Sequence, residues 1–369
     1  MAGGTTVTTS ANKKISPAQR NQLFAALTRK YQQPLPPAAG AENGTVQFTL
    51  SRNRLLSDIQ LLIQGTMTYT QAAGVAATLA PFAPYNFIRN VRVEYNNGYM
   101  PFNLTGQQLY MYNLARNNAG TLVPQTSDVA ATAATMRGRT VCGLQSAAGG
   151  QANVCRFIVD LPIAVNERDP VALYLLQADD VTVTVTIDFN DADVIFNAAA
   201  GLTGAMTAIT VSPNVETFTA PKEDLAMPDL GMIKLVSAQH IAIAGAGVQT
   251  LRLTPGNIFR KLGIYITDAA GGEFDGDIPG FFEIIFNESE NPIRIAPWFL
   301  SAKNAEQFGF DLPGGLWIFD FSYQGLANYG GGRDYIDTEK ITEFWFRFTA
   351  AGAGTIDIIQ ETLTKLRSS

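Results

Sequence analysis

Apolar and polar residues alternate along several stretches of the chain. In the longest, from Val181 to Phe189, valine, isoleucine or phenylalanine occupies every second position and threonine or aspartate the positions between. From Glu343 to Thr349, three phenylalanines fall on one face and charged or tryptophan side chains on the other. A period of two is typical of a β-strand with one buried face. Similar segments recur from residue 45 onwards, so the chain is predicted to be all-β and mainly antiparallel.

A helix signal precedes the first of these segments. Ser16 is a cap residue, Pro17 suits the first helical position, and Gln19 stands where a capping box has Glu or Gln. The apolar stripe that follows has the spacing of one helix face and consists of Leu23, Phe24, Leu27 and Tyr31. Prolines at positions 34, 36 and 37 are predicted to end this helix, which is too short to cross a bilayer. Short helical excursions are also expected at 105–116 and 301–308.

Two motifs occur twice, in the same order. Residues 86–93 and 257–264 share an Asn, two large apolar residues, an Arg, a polar residue and then alternating apolar residues, at an offset of 257 − 86 = 171. Residues 157–161 and 317–321 match at an offset of 317 − 157 = 160. Two matches at nearly one offset indicate a duplicated domain. The 369 residues also exceed the roughly 250–300 at which one hydrophobic core stops growing.

The sequence therefore predicts three parts. An N-terminal arm spans residues 1–42, and two β-domains span residues 43–200 and 201–369, with an Ala- and Gly-rich linker at 197–207. The segment 117–152 is long, small and polar, and we expect it to be a surface excursion.

Charge is distributed unevenly between the arm and the rest of the chain. Five basic residues precede Glu42, the first acidic residue, and they are Lys13, Lys14, Arg20, Arg29 and Lys30. The rest of the chain has 21 basic and 32 acidic residues, so +5 and −11 give the net charge of −6. This asymmetry predicts a basic arm on an acidic body.

Composition narrows the class of protein. Hydrophobic residues make up 46% of the chain and charged residues only 16%, which predicts an ample core and a largely neutral polar surface. The sequence has no apolar run of about 18 residues and no apolar leader. We therefore expect neither a transmembrane span nor secretion, and synthesis in the cytosol.

Catalytic chemistry finds little support in the sequence. His240 is the only histidine, it lies in a strand-like segment, and no nucleophile motif accompanies it. We predict a structural role for His240, no enzymatic activity and no cofactor. Paired carboxylates of the glycosidase kind stay open, because their separation depends on the fold.

Metal and thiol chemistry are also weakly indicated. Cys142 and Cys155, with one histidine in the chain, do not make a zinc site, and they are predicted to be reduced thiols, with a single disulfide as the alternative. A solvated acidic loop is predicted around Glu273, Asp275 and Asp277, and whether it binds a cation stays open.

Three stretches carry a resemblance to a known family. They are Ser16-Pro17-Ala18-Gln19, Leu161 to Asp169 with its Leu-Pro-Ile-Ala-Val and Asn-Glu-Arg-Asp segments, and Asn257-Ile258-Phe259-Arg260 followed by a Gly271-Gly272 turn. In order and spacing the chain resembles the major capsid proteins of tailless, membrane-containing bacteriophages of the tectivirus type. These belong to the double jelly-roll lineage that includes adenovirus hexon. The chain differs in its Ala-rich 117–152 segment and short Gly-rich loop at 330, so the height of its outward loops stays open.

The resemblance implies a structural protein with two tandem eight-stranded jelly rolls. Three chains would form a pseudo-hexagonal capsomer of an icosahedral virion, since two barrels in each of three chains give six similar corners. The shell would enclose a membrane and double-stranded DNA. The implied partners are other copies of the chain, as a homotrimer and in neighbouring capsomers, with penton and minor capsid proteins and the internal membrane. No sequence-specific nucleic acid is implied. The protein would be made in the host cytoplasm and reside in the virion capsid.

The resemblance also places the N-terminal helix at the capsomer base. Its basic residues are expected to face the membrane, and its apolar residues to pack on the barrel base or on a neighbouring capsomer. The arm residues concerned are Lys13, Lys14, Arg20, Leu23, Phe24, Leu27, Arg29, Lys30 and Tyr31.

A carbohydrate-binding or carbohydrate-cleaving double β-sandwich is the main alternative. Its candidate sugar-stacking residues are Tyr110, Tyr112, Tyr323 and Tyr329. A receptor-binding spike is a third possibility and fits the basic helix less well. A lectin or hydrolase need not be trimeric, so the mass of the assembled species separates the alternatives.

Overall fold

The fold is known over most of the chain. The computed structural model describes residues 16–70, 78–96, 98–116, 119–124, 126, 138–144, 151–165, 171–177, 181–197, 203–228, 230–269, 278–287, 290–321 and 336–365. Four α-helices lie within these residues, and they are α1 (Pro17–Leu27), α2 (Gly106–Leu114), α3 (Ala119–Leu122) and α4 (Pro297–Phe308).

Strands dominate the described residues in both halves of the chain. Those of the first half are β1 (Lys30–Pro34), β2 (Ala38–Ala39), β3 (Thr45–Thr49), β4 (Leu55–Thr70), β5 (Ile88–Tyr95), β6 (Tyr99–Leu104), β7 (Val141–Cys142), β8 (Gln151–Pro162), β9 (Tyr174–Leu175), β10 (Val183–Phe189) and β11 (Thr203–Phe218). Those of the second half are β12 (Met232–Ile243), β13 (Gly247–Arg252), β14 (Ile258–Asp268), β15 (Phe282–Phe286), β16 (Glu290–Ile295), β17 (Leu316–Asp320), β18 (Ile336–Asp337), β19 (Phe344–Ala350) and β20 (Gly354–Lys365).

The described strands form two bodies, each built on two four-stranded sheets, to which β1, β2, β9 and β18 add. In the first body the sheet orders are β11-β4-β8-β7 and β3-β10-β5-β6, and β1 adds to the β11 edge. In the second body they are β12-β20-β14-β17 and β13-β19-β15-β16. Eight strands in two facing sheets are the content of a jelly roll. The prediction of two tandem eight-stranded jelly rolls is confirmed.

The first repeated motif marks equivalent strands, and the second does not. Residues 86–93 contribute β5 and residues 257–264 contribute β14, and each strand lies third in its sheet. Residues 157–161 belong to β8, which pairs with β4, whereas residues 317–321 belong largely to β17, which pairs with β14. The second match therefore joins strands at different positions and was a coincidence of sequence.

A parallel strand pair joins the two bodies. Val236 of β12 lies beside Phe102 of β6, and Ser237 beside Asn103. One sheet from each body thereby joins the other in a continuous sheet, with the strand order β17-β14-β20-β12-β6-β5-β10-β3. Within each body the named strand pairs are antiparallel, as predicted, and the parallel pair lies only at the junction between the bodies.

The two bodies also share a hydrophobic core. Successive residues of a strand point to opposite faces, so β20 can serve two cores at once. Ile356 and Ile358 pack in the core of the second body, whereas Ile359 packs in the core of the first. Other second-body residues that are buried in the first core are Ile233, Val236, Tyr265, Leu316 and Ile318. The β12-β20-β14-β17 sheet is therefore buried on both faces, by the second body's core on one face and by the first body's core on the other.

The predicted boundary at residue 200 falls too early. Strand β11 pairs with β4 from Thr203 to Phe218, and its buried Met206, Ile209 and Val211 belong to the first core. The end of the predicted linker at 197–207 is therefore part of a strand. Pairing and burial place the division between the bodies after Phe218, because the next strand, β12, belongs to the second body.

Helix α2 lies between the bodies and was predicted from sequence. Thr105 and Gln108 form a capping box, in which the Gln108 amide donates to the Thr105 hydroxyl and the Thr105 amide to the Gln108 side chain. Gly106 has no room for a side chain, because a Cβ there would lie 1.9 Å from the carbonyl oxygen of Tyr85. This close approach holds the start of α2 against residues 85–88, so that its other end reaches the second body.

Candidate assembly surfaces

The arm helix begins as predicted and ends sooner. Ser16 and Gln19 form the capping box. The Gln19 backbone amide lies 3.3 Å from the Ser16 hydroxyl, and the Ser16 backbone amide lies 3.1 Å from the Gln19 side-chain oxygen. The helix ends at Leu27, where the Thr28 amide and hydroxyl both donate to the carbonyl oxygen of Phe24. The prolines from residue 34 onwards do not end it, since strand β1 intervenes. None of the helices in the described part of the chain is long and apolar enough to span a bilayer.

The apolar stripe of the arm is divided between the protein and its surroundings. Phe24 is buried, with its ring 5.4 Å from that of Phe218 in an edge-on arrangement, and it shares a small core with Leu55. Leu23 is half-buried, and Leu27 is 44% exposed. Phe24 therefore anchors α1 to the first body, and Leu27 is left on the surface.

Strand β1 attaches the end of the arm to the first body. It pairs antiparallel with β11, from Lys30 opposite Phe218 to Pro34 opposite Asn214. Tyr31 is thus in a strand and not on the helix face, and the Arg54 guanidinium lies 3.7 Å from its ring centre. The prediction of one helical stripe through Tyr31 was wrong, because edge pairing with β11 overrides helical periodicity there.

Lys30 is neutralised within the chain. Its Nζ lies 2.7 Å from Oε2 of Glu216, a buried carboxylate that also accepts a hydrogen bond of 2.5 Å from Gln32. Of the five basic residues of the arm, Lys13 and Lys14 lie outside the described residues. Arg20 is half-buried and the Arg29 side chain is exposed.

A further apolar residue lies beside the arm helix. The short 3-10 turn Asp224–Ala226 packs against α1 and exposes 48% of Leu225. No periodic pattern marks this residue, because it lies in a turn almost 200 positions after the helix. Leu27, Leu225, Arg20 and Arg29 together define what we call the basal surface.

A buried ionic cluster lies where α2 meets the second body. Glu361 of β20 is its centre and is 1% exposed. Its carboxylate accepts a 2.5 Å hydrogen bond from the Tyr112 hydroxyl and a 3.1 Å hydrogen bond from Nε of Arg260, and Arg116 lies 3.9 Å away. Burial alone would raise the pKa of Glu361, yet the surrounding cations, Lys234 and Arg260 foremost, hold it well below its usual range. The cluster thus fixes charges from both bodies around one carboxylate.

Two further buried groups extend this cluster. Lys234 of β12 donates a 2.8 Å hydrogen bond to the carbonyl oxygen of Ala164, and burial lowers its pKa well below the ordinary value. Burial, and next the negative charge of Asp160, raise the pKa of Asp58 from 3.8 to about 6. One oxygen of Asp58 is buried without a hydrogen-bond partner. The ionised form of the Asp58 side chain is therefore disfavoured in the folded protein.

Asp58 predicts an unusual pH dependence. A group whose folded pKa exceeds its unfolded pKa favours the folded state at low pH, and this contribution is lost as pH rises through the folded value, here about 6. The stabilisation gained from Asp58→Asn should therefore be greater at pH 7.5 than at pH 5, by about 1 kcal/mol. Denaturant unfolding of both proteins at the two pH values measures this difference. The exposed Asp311→Asn is the control, and equal gains for Asp58→Asn at both pH values would contradict the prediction.

His240 lies in an open polar groove at the same junction. Its Nδ1 is 3.0 Å from Oδ1 of Asp357, which also accepts a 2.8 Å hydrogen bond from Gln108. The groove has a volume of about 420 Å³, and Arg89 and Asn190 line it further along. The imidazole is 61% exposed, so His240 is a surface residue and not a core residue. Its hydrogen-bond partner is the Asp357 carboxylate, and the residues that line the groove include no serine or cysteine nucleophile.

The other candidate residues are partly accounted for. Tyr110 and Tyr112 are buried and cannot stack on a sugar, which removes half of the predicted carbohydrate surface. Tyr323, Tyr329, Glu273, Asp275 and Asp277 lie outside the described residues. Among the residues that the structure does describe, no group of three or more His, Cys, Asp or Glu side chains is arranged to hold a metal ion.

Comparison with known proteins identifies the fold. No protein-family model and no curated protein sequence matches the chain. The crystal structure of the STIV major capsid protein, from Sulfolobus turreted icosahedral virus, superposes with a TM-score of 0.66 at 13% identity, over 91% of this chain and 97% of that one. The capsid of PBCV-1 virus gives 0.63 at 12% identity, over 91% and 94%. The major capsid protein of bacteriophage PM2 gives 0.53 at 12% identity, over 92% and 99%. The chain has the double jelly-roll fold of these viral major capsid proteins.

Proposed function

We propose that this chain is the structural major capsid protein of an icosahedral virion. The observation that carries the proposal is the architecture: two jelly rolls fused by a continuous sheet and a shared core, matched over nine-tenths of the chain by viral major capsid proteins. Such a rigid pair presents two similar blocks in a fixed orientation. Three chains around a threefold axis place six blocks in a near-hexagon, which tiles a shell.

The proposed virion follows the tectivirus type. Its shell encloses a membrane and double-stranded DNA, and penton and minor capsid proteins complete it. The chain is made in the host cytoplasm, resides in the virion capsid and has no catalytic role. Apolar surface for contacts between copies is present on the second body, at Trp298, which is 71% exposed, at Phe299, and at Val248 on the edge strand β13.

The trimer is the most direct test of this proposal. Light scattering after size-exclusion chromatography should give three times the 39.8 kDa of the chain. The trimer should persist on dilution to micromolar concentration, since lateral contacts between rigid blocks exclude water over large areas. A stable monomer under these conditions would contradict the proposal and reopen the carbohydrate-binding alternative.

We assign the membrane contact to the basal surface. Arg29 and Leu27 are exposed, Arg20 is half-buried, and the adjacent Leu225 adds exposed apolar area. Lys13 and Lys14 immediately precede this surface in the sequence. Attraction to an anionic leaflet is worth about 1 kcal/mol per basic residue near the bilayer, so four charges together would matter where one would not. Lys30 is excluded from this set because Glu216 neutralises it.

Flotation with anionic liposomes tests the membrane contact. The assembled protein should float at low salt and lose this binding as salt is raised, because screening acts within about 8–10 Å at physiological ionic strength. The double variant Arg20→Gln, Arg29→Gln should float less, and Lys303→Gln on α4 of the second body is the matched control. A deletion of residues 1–33 is unsuitable, since it removes Phe24 and β1 and leaves the buried Glu216 without its cation. Equal flotation of the double variant and the control would contradict the membrane contact and leave the arm with a role in protein–protein contacts only.

A further inference from the structure

Two cysteines face each other across the edge of the first body. Cys142 in β7 and Cys155 in β8 are directly opposite in the antiparallel register, and both side chains are fully buried. The Gly143 amide donates a 3.0 Å hydrogen bond to the carbonyl oxygen of Val154, the next pair along. Hydrogen-bonded and non-hydrogen-bonded pairs alternate along such a ladder, so the two cysteines occupy a non-hydrogen-bonded pair. In these pairs the side chains are closest.

This position matches the requirements of a disulfide. Cα atoms of a non-hydrogen-bonded pair are about 4.5 Å apart, and disulfides join Cα atoms at roughly 4.4–6.8 Å. The linked and the free form would therefore differ by side-chain rotation, with the strands in the same positions in both. Both cysteines are free in the structure, and Met67 Sδ lies 4.0 Å from the Cys142 thiol. The arrangement of the two side chains therefore allows a disulfide to form between these strands.

We propose that Cys142 and Cys155 form a reversible intrachain disulfide that ties β7 to β8. Two S–H bonds break and one S–S bond forms, and an oxidant takes up the two protons and two electrons. Strand β7 is only two residues long, and among the described strands it lies at the sheet edge and pairs only with β8. A covalent link there holds this short edge strand on the sheet. This inference is independent of the capsid assignment, because it concerns one chain.

The surroundings of the thiols set the conditions for this reaction. Contact with the Cys142 thiol, and next burial, raise the pKa of Cys155 well above its ordinary value. Thiolates are the reactive species, so the closed pair reacts slowly and oxidation requires β7 to separate briefly from β8. The thiols should remain reduced in a reducing compartment and become linked on prolonged contact with an oxidising one.

Diamide, whose azo group accepts the two protons and two electrons, is a suitable oxidant for the test. After incubation with the native chain of 369 residues, acid denaturation and alkylation with N-ethylmaleimide, the intact mass should show no alkyl groups and the loss of two hydrogens. Peptide mapping should recover one crosslink, between the peptides that contain Cys142 and Cys155, within one chain. Two alkylated cysteines, or a crosslink between chains, would overturn the proposal.

Stability measurements complete the test. The oxidised protein should unfold at a higher denaturant midpoint than the reduced protein, and dithiothreitol should reverse the shift. The double variant Cys142→Ala, Cys155→Ala should show no diamide-dependent shift, which separates the disulfide from other oxidation. If the double variant does not fold, the single variants Cys142→Ser and Cys155→Ser replace it, and each should stay unlinked. A disulfide that forms but lowers the midpoint would also overturn the proposal.

Discussion

Replacing Glu361 by Gln should cost about 3–5 kcal/mol of the free energy of unfolding. The side chain keeps its shape, but Arg260, Arg116 and Lys234 lose a carboxylate whose charge acts on all three at the junction of the bodies. Breaking a buried ion pair from one side leaves uncompensated buried charge, which costs far more than the pair contributes on balance. For a domain whose whole stability is about 5–15 kcal/mol, this is a large fraction.

Denaturant unfolding of Glu361→Gln measures the loss directly. Glu339→Gln is the matched control, because Glu339 pairs with Lys365 at 2.8 Å on the surface, where such pairs contribute about 0–1 kcal/mol. Tyr112→Phe removes only the hydroxyl that donates to Glu361, and an intermediate loss of about 1.5–3 kcal/mol is expected. A cost for Glu361→Gln as small as that of Glu339→Gln would show that the cluster does not hold the two bodies together.

The sequence predicted strands where one face meets a core and the other meets water. Strands β10 and β19 were predicted from their alternation. Their inward residues are buried, and the intervening residues of β19 are partly exposed. Strand β20 was missed because eight consecutive residues, from Ile356 to Leu363, are buried and the pattern has no period of two. Its two faces pack in two different cores, which is a property of the assembled fold.

Strand β1 and the ionic cluster were missed for related reasons. All five residues of β1 are exposed, and the strand exists because β11 offers a free edge. The cluster brings together Tyr112, Lys234, Arg260 and Glu361, which are up to 249 positions apart in the sequence. From the sequence alone, charged residues in strands are predicted to lie on the surface. Here the neighbouring body buries them. The capping box at Ser16 was predicted because it depends on four consecutive residues.

The shared core predicts that the second body cannot fold alone. Ile233, Val236, Tyr265, Leu316, Ile318 and Ile359 are buried against the first body. Each buried apolar side chain contributes about 1.5–3 kcal/mol, so exposing six of them costs on the order of 10 kcal/mol, as much as an entire domain's stability. The fragment 219–369 should therefore be insoluble or lack a cooperative unfolding transition when it is expressed alone.

Co-expression of residues 1–218 with residues 219–369 should rescue both fragments. The two pieces should copurify and unfold in one transition, because β12 still finds β6 and the six side chains regain their partners. A protease site inserted in the exposed turn at Lys222 of the intact chain is the matched control, since cleavage there leaves every core contact in place. The cleaved halves should remain associated under native conditions. A soluble 219–369 fragment with a sharp unfolding transition of its own would mean that the two jelly rolls are independent domains. Contacts between chains would then have to supply the fixed geometry on which the six-cornered capsomer depends.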